Sequence, residues 1–210
     1  MTKKVPERRR TQAERREETR ARILEAAVSE LMNKGYAGFR VEQVAATANV
    51  SRGAQTHHFP TKEALVLAAL QQLYEASTET SMKLIDGLNA GDDVLDALMR
   101  DSSNFYLGPN FLIAVSLLNL GDHEPELRKK VRAISRKYRL PIEKAWMEAL
   151  LRSGLEEEPA RTVLNITQSI YRGMVMRRFL RNDPEYTRFT VEQWSRIARA
   201  YMSLNTPPSR

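Results

Sequence analysis

The chain has 210 residues, enough for one large domain or for a small domain joined to a larger one. Hydrophobic residues make up 42% and charged residues 28%, which excludes a disordered polyelectrolyte, and the lack of cysteine excludes a disulfide scaffold, a thiolate zinc site and a cysteine nucleophile. The net charge of +7 favours a polyanionic partner, either nucleic acid or an anionic membrane surface.

Residues 1 to 22 hold nine basic and four acidic side chains, which is most of the chain's excess positive charge. Such a run reads either as a solvated tail or as an arm for phosphates. It has no bulky apolar stripe before Ile23, so it does not read as a membrane-surface helix, and no apolar export segment follows MTKKVPERRR. Thr11 and Glu14 have capping-box spacing, and Gly35 suits the far end of the same helix. Ile23, Leu24, Ala27, Val28 and Leu31 form its apolar face.

Val41, Val44, Ala45 and Ala48 then recur at i, i+3, i+4 and i+7, which predicts a short helix with one buried face. Asn49, Val50 and Ser51 form a turn after it. Asn tolerates the positive φ that a tight turn needs, and the Ser51 hydroxyl can cap a second short helix from Arg52 to Phe59. Pro60 stops that helix, and Thr61 opens a long one with Leu65, Ala68, Ala69, Leu73 and Ala76 on a stripe. Two short helices joined by a tight turn after a longer one read as a helix-turn-helix, a motif that enters the DNA major groove.

Every later periodic segment also reads as helix. Asp92 is expected to cap a helix bearing Leu95, Leu98, Met99, Ser102, Phe105 and Tyr106, and LGPN ends it. Phe111 to Leu120 forms the next, at half the ~20 residues a membrane crossing needs, so a soluble cytoplasmic protein with no membrane partner is expected. Pro125 starts a helix with Leu127, Val131, Ile134 and Tyr138 on one face. Pro141 predicts a kink or break before Ile142, Trp146, Ala149 and Leu150. Pro159 begins a helix with Val163, Ile166, Ile170 and Met174 on one side, closed at Asn182 to Pro184. Thr190 and Gln193 form a second capping-box pair that opens a last helix with Trp194, Ile197, Ala198 and Tyr201. The fold class is all-α, with about nine helices.

The stretch VEQVAATANVSRGAQTHHFPTKEAL, with VSRG, HF before Pro, and TKEAL in this order, resembles the TetR (tetracycline-repressor-like) transcriptional regulators. The match covers roughly residues 20 to 70; beyond it only length and helix order agree. The resemblance implies a basic arm and helix start at 1–19, a helix-turn-helix domain at 20–64, and an effector-binding and dimerisation domain at 65–205. It further implies a homodimer on a palindromic double-stranded operator, released by a small-molecule effector. Ser51 would cap the recognition helix with Arg52 at its start, Gly53 would allow close approach to DNA, and Lys62 matches the family's phosphate-contacting lysine. Arg40 stands where the family often has a phosphate-binding Thr, Asn49 replaces the usual turn glycine, and Thr56 and Gln55 replace bulkier residues.

Arg52, Gly53, Thr56 and His57 can share one surface of the recognition helix while Phe59 packs inward. Arg52 and Gln55 have the hydrogen-bonding geometry for guanine and adenine edges, or either can touch phosphate only. Among the middle helices, Phe105, Tyr106, Phe111, Ser116, Asn119, Tyr138, Trp146, Gln168 and Tyr171 mix aromatic and polar groups as ligand pockets and ordinary cores both do. Ile166, Ile170, Met174, Trp194, Ile197 and Tyr201 face either the protomer's own core or a second subunit. Arg172, Arg177, Arg178 and Arg181 are expected to form a solvated basic face.

His57 and His58 are neighbours that point apart, and His123 lies on a polar turn, so no metal site is assigned. A helical enzyme is the competing reading from another class. No G-x-S-x-G, H-E-x-x-H or phosphate-loop motif is present, so no catalytic residue and no cofactor is assigned. A third reading is a DNA-binding protein that is constitutive or answers to a protein partner.

Overall fold

Residues 11–118 and 124–206 are described by the computed structural model. Residues 1 to 10 of the expected basic arm, and Asn119 and His123, lie outside them. All regular structure among the described residues is helical: α1 (Gln12–Gly38), α2 (Val41–Thr47), α3 (Arg52–His58), α4 (Lys62–Asp86), α5 (Val94–Tyr106), α6 (Pro109–Leu118), α7 (Pro125–Arg152), α8 (Glu157–Leu180) and α9 (Pro184–Leu204). None is long and apolar enough to cross a membrane. The chain divides into two compact units, residues 1–72 and 73–210. The first turns of α4 belong to the first unit and bury Leu65, Val66, Ala69 and Leu70, so the division falls within α4 and not at residue 65.

In the first unit the Thr11 capping box forms in full: its hydroxyl accepts from the Glu14 N–H, and the Glu14 carboxylate accepts from the Thr11 N–H. Gly35 takes φ 62°, the left-handed conformation expected of a helix-ending glycine, and one further turn follows it. Ile23, Leu24, Ala27 and Leu31 of α1 are buried, as are Val44 and Ala45 of α2 and Phe59 after α3.

The second unit is organised around a core that draws Leu95, Leu98 and Met99 from α5, Ile142, Trp146 and Leu150 from α7, Val163 and Leu164 from α8, and Trp194 and Ala198 from α9. The whole α5 stripe expected from periodicity is buried. At its centre Asp101, itself buried, accepts from the Trp146 indole N–H at 2.7 Å and from the Ser81 hydroxyl at 2.5 Å. One carboxylate thereby ties α4, α5 and α7 together.

Four expectations change. Asp93, not Asp92, caps α5 by accepting from the Asp96 N–H, while Asp92 accepts from the Asn89 N–H in the preceding turn. Of the kink or break expected at Pro141 the break does not occur: α7 continues as one helix, with Tyr138 before it and Ile142 and Trp146 after it buried. α9 begins a turn and a half before Thr190, with Asp183 as cap and Pro184 at the first position, where a missing N–H costs nothing. On α8 the buried stripe is Ala160, Val163, Leu164, Thr167, Gln168 and Tyr171, which leaves Ile166 on the opposite side and exposed.

Candidate functional site

α2 ends at Ala48, and Asn49 follows with φ 52°, the one non-glycine residue at positive φ among the described residues. The turn is closed by the Val50 N–H donating to the Ala45 carbonyl at 3.0 Å. Ser51 then caps α3, its hydroxyl accepting from the Ala54 N–H at 3.1 Å. Side chains of an N-cap can satisfy one of the donors that a helix start leaves unpaired, so α3 is fixed in direction by its first residue.

Arg52, Gly53, Thr56 and His57 are all exposed on α3, and Ser51 and Arg40 are exposed beside them. Gln55 is placed differently. It is only 1% exposed, and its amide donates to the Phe59 carbonyl at 3.1 Å, closing the C-terminal end of α3 from inside. A side chain so committed has no edge to offer a base, and Gln55 joins Phe59 in the packed face. Around Gly53, an added Cβ would meet only the Ser51 hydroxyl at 4.0 Å, so no internal packing demands a glycine there. Arg52 lies 3.7 Å from Glu42, with both side chains largely exposed, a contact worth at most about 1 kcal/mol and easily exchanged for a phosphate or base.

Lys62 is half-buried, and its ammonium donates to the Tyr36 carbonyl at 2.7 Å and lies 4.3 Å from the Tyr36 ring centre. It braces the start of α4 against the end of α1. His58 is held below its usual pKa by partial burial and then by the nearby cations Arg16 and Arg20, so it is neutral at pH 7 and adds no charge to the face.

The second unit contains a cleft of about 250 Å³ whose walls come from α4 to α8. Phe105, Tyr106 and Phe111 form an aromatic corner, with ring centres 5.0 Å apart for both Phe105–Tyr106 and Tyr106–Phe111. Tyr74 adds an edge contact to Phe105 at 5.6 Å and a hydrogen bond with Ser135 at 3.1 Å. Burial raises the Tyr74 pKa, so its phenol stays neutral near pH 7.

Three arginines and one carboxylate complete the walls: Arg136, Arg139, Arg172 and Glu143. The Arg139 guanidinium lies 3.7 Å from the Phe105 ring centre, and its Nε is buried without a hydrogen-bond partner. Arg172 donates to the Tyr106 hydroxyl at 3.1 Å and to Gln168 at 2.8 Å, with Glu143 at 3.9 Å. A larger hollow of about 540 Å³ near Leu88–Asp92 and Ala149–Ser153 has no aromatic wall.

Of the residues expected to touch a ligand, the cleft gathers Phe105, Tyr106 and Phe111. Gln168 is buried and meets it only through Arg172. Tyr138 donates to Glu75 at 2.5 Å, Trp146 is committed to Asp101, Tyr171 is buried with its pKa pushed up to about 12 by burial, and Ser116 is exposed and donates to the Ile113 carbonyl. The cleft arginines were missed because charged residues on a helix ordinarily face water. Arg136, Arg139, Leu140 and Glu143 do carry a signal, since their spacing puts them on one face of α7. The four arginines expected as a solvated face are all exposed, and each also makes a contact: Arg172 in the cleft wall, Arg177 over the Tyr186 ring, Arg178 on the Leu107 carbonyl, and Arg181 beside Asp183.

On α8 and α9, Met174 and Trp194 are buried within the protomer, and the Trp194 indole donates to Thr167 at 2.9 Å. Ile170 and Tyr201 pack partly against the same core. Ile166 is exposed, as is Ile197 at 60%, and Leu180, Phe189 and Leu204 of the same two helices are exposed as well.

No group of three or more His, Asp or Glu side chains suited to a metal is present among the described residues. Residues 23–69 match the tetR family of bacterial regulatory proteins. The HTH-type transcriptional regulator CymR of Pseudomonas putida is 39% identical over 177 residues, covering 84% of this chain and 87% of CymR. A TetR-family transcriptional regulator from Streptomyces coelicolor shares the fold with a TM-score of 0.66 at 18% identity, over 90% of this chain and 96% of its own. FadR from Bacillus subtilis, solved in complex with stearoyl-CoA, does so with a TM-score of 0.59 at 20% identity, over 87% and 97%. With a capped helix-turn-helix at its amino-terminal end and a relative this similar along most of its length, the chain belongs to the TetR family of bacterial transcriptional regulators.

Proposed function

We propose that this transcriptional regulator works in the cytoplasm as a homodimeric repressor, and that a small molecule bound in the cleft of the second unit releases it from a two-fold operator. The observation that carries the DNA half is the division of α3 into two faces. Arg52, Gly53, Thr56 and His57 are exposed, while Gln55 and Phe59 anchor the other side. A recognition helix needs such an arrangement, because base reading demands a free edge on a helix that does not move. Arg40 and Lys62 are the proposed phosphate contacts, Lys62 by leaving or sharing the Tyr36 carbonyl.

The effector half is supported by the aromatic cleft and by the stearoyl-CoA complex of FadR, a protein of the same fold. α4 is the proposed link: it begins at Lys62 and carries Tyr74 in the cleft wall, so a ligand that moves Tyr74 acts on the helix that leads to the reading head. A small molecule switches DNA affinity only as far as it binds the two states unequally.

The apolar faces of α8 and α9 are the proposed dimer surface, with Ile166 and Ile197 in it and Met174 and Trp194 supporting it from within. Ile197→Arg tests this. Sedimentation velocity should show a monomer, circular dichroism should be unchanged because the side chain is already exposed, and operator affinity should fall roughly 100-fold or more as the second head binds independently. A variant that remains dimeric, or a wild-type monomer that binds a full operator, would overturn the reading.

A further inference from the structure

We infer that the cleft is built for an organic carboxylate on a compact apolar body, with the anion on Arg139 and Arg172 and the body against Phe105, Tyr106 and Phe111. The inference rests on the effector reading of the cleft and names the ligand class it takes.

Size sets the first limit. About 250 Å³ exceeds the ~150 Å³ cavity that holds benzene and lies below the ~300 Å³ where drug-sized pockets begin. A single substituted ring fits this range better than a fused polycycle. The rings of the aromatic corner offer it edge and face contacts.

Charge sets the second limit. Among the described residues three guanidinium groups line the cleft and one carboxylate, Glu143, opposes them, at a 3.9 Å contact with Arg172 that is longer than a hydrogen bond. Arg172 is already oriented by Tyr106 and Gln168, so it needs no reordering to receive an anion. Arg139 is the more telling residue. Its guanidinium is stacked on Phe105 and its Nε is buried without an acceptor. A buried donor with no partner is costly, and a guanidinium presents paired N–H groups that match the two oxygens of a carboxylate. A neutral ligand supplies at most a weaker acceptor without the opposite charge, and a cation would be repelled.

Calorimetric titration of the full chain with benzoate, phenylacetate, benzamide and acetate separates the two limits. Benzoate or phenylacetate should bind saturably. Benzamide, which keeps the ring and loses the charge, should bind roughly 10- to 100-fold more weakly, and acetate, which keeps the charge and loses the ring, more weakly still. Arg139→Gln should erase the preference for benzoate over benzamide. The comparison among ligands on the wild-type protein stands even if that variant fails to fold. Benzamide binding as tightly as benzoate, or both ring acids binding no better than acetate, overturns the inference. Operator binding measured on the same samples keeps the two readings apart. Duplex binding with no uptake of ring acids sinks the ligand class alone, whereas uptake without duplex binding sinks the repressor reading alone.

Discussion

Replacing Trp146 with alanine is expected to lower the stability of the second unit by about 3–5 kcal/mol, the range for deleting a large buried aromatic side chain. Trp146 is 1% exposed and sits among Leu98, Ile142, Leu150 and Val163 in one core. It is also one of two donors to Asp101, a carboxylate buried with no cation among its hydrogen-bond donors. Truncation therefore opens a cavity and removes a donor together. Trp146→Phe separates the two effects, since it keeps most of the volume and loses the N–H; about 1–3 kcal/mol is expected from the donor alone. Urea unfolding followed by circular dichroism measures both. A cost near zero for the alanine variant would mean that Asp101 does not hold α4, α5 and α7 together.

Arg52→Ala is expected to flatten operator preference at one base-pair position per half-site, at about 1–3 kcal/mol, with little change in thermal stability. Stability is spared because, among the described residues, the partner of Arg52 is the exposed Glu42. Gln55→Ala should behave in the opposite way. It removes a buried amide that closes α3 onto the Phe59 carbonyl, so the expected result is a lower melting temperature with an unchanged base preference. Competition among single-substituted duplexes, combined with thermal melts, tells the two apart. An altered preferred base in a well-folded Gln55→Ala protein would place the reading edge on the wrong side of α3.

Much of the fold was legible because its signals are local. Capping at Thr11 and Ser51, the Asn49 turn and the α5 stripe each depend on residues within one or two turns, and each formed as the spacing implies. Starts were misread where two competing signals lay close together. Asp92 and Asp93 are both good caps, and Asp183 with Pro184 opens α9 ahead of the Thr190 pair because a side-chain cap followed by proline already makes a complete helix start. Pro141 shows the limit of a local rule. Losing one N–H did not divide α7, which buries Tyr138 before Pro141 and Ile142 after it.

The cleft was only half legible. Its aromatic corner follows from residue type, but Arg172 reads as solvated charge, and Arg139 is not singled out, until α5, α6 and α8 are packed around α7. The same holds for Gln55, whose amide is equally suited to adenine or to a backbone carbonyl. Only its burial decides between them.

Selection of DNA sites from a random duplex pool tests the central claim most directly. A dimeric reader with one α3 per protomer predicts two inverted copies of a short half-site, their centres about 10–10.5 base pairs apart or a multiple of that spacing. A single asymmetric site, or no enrichment over the starting pool, would contradict it.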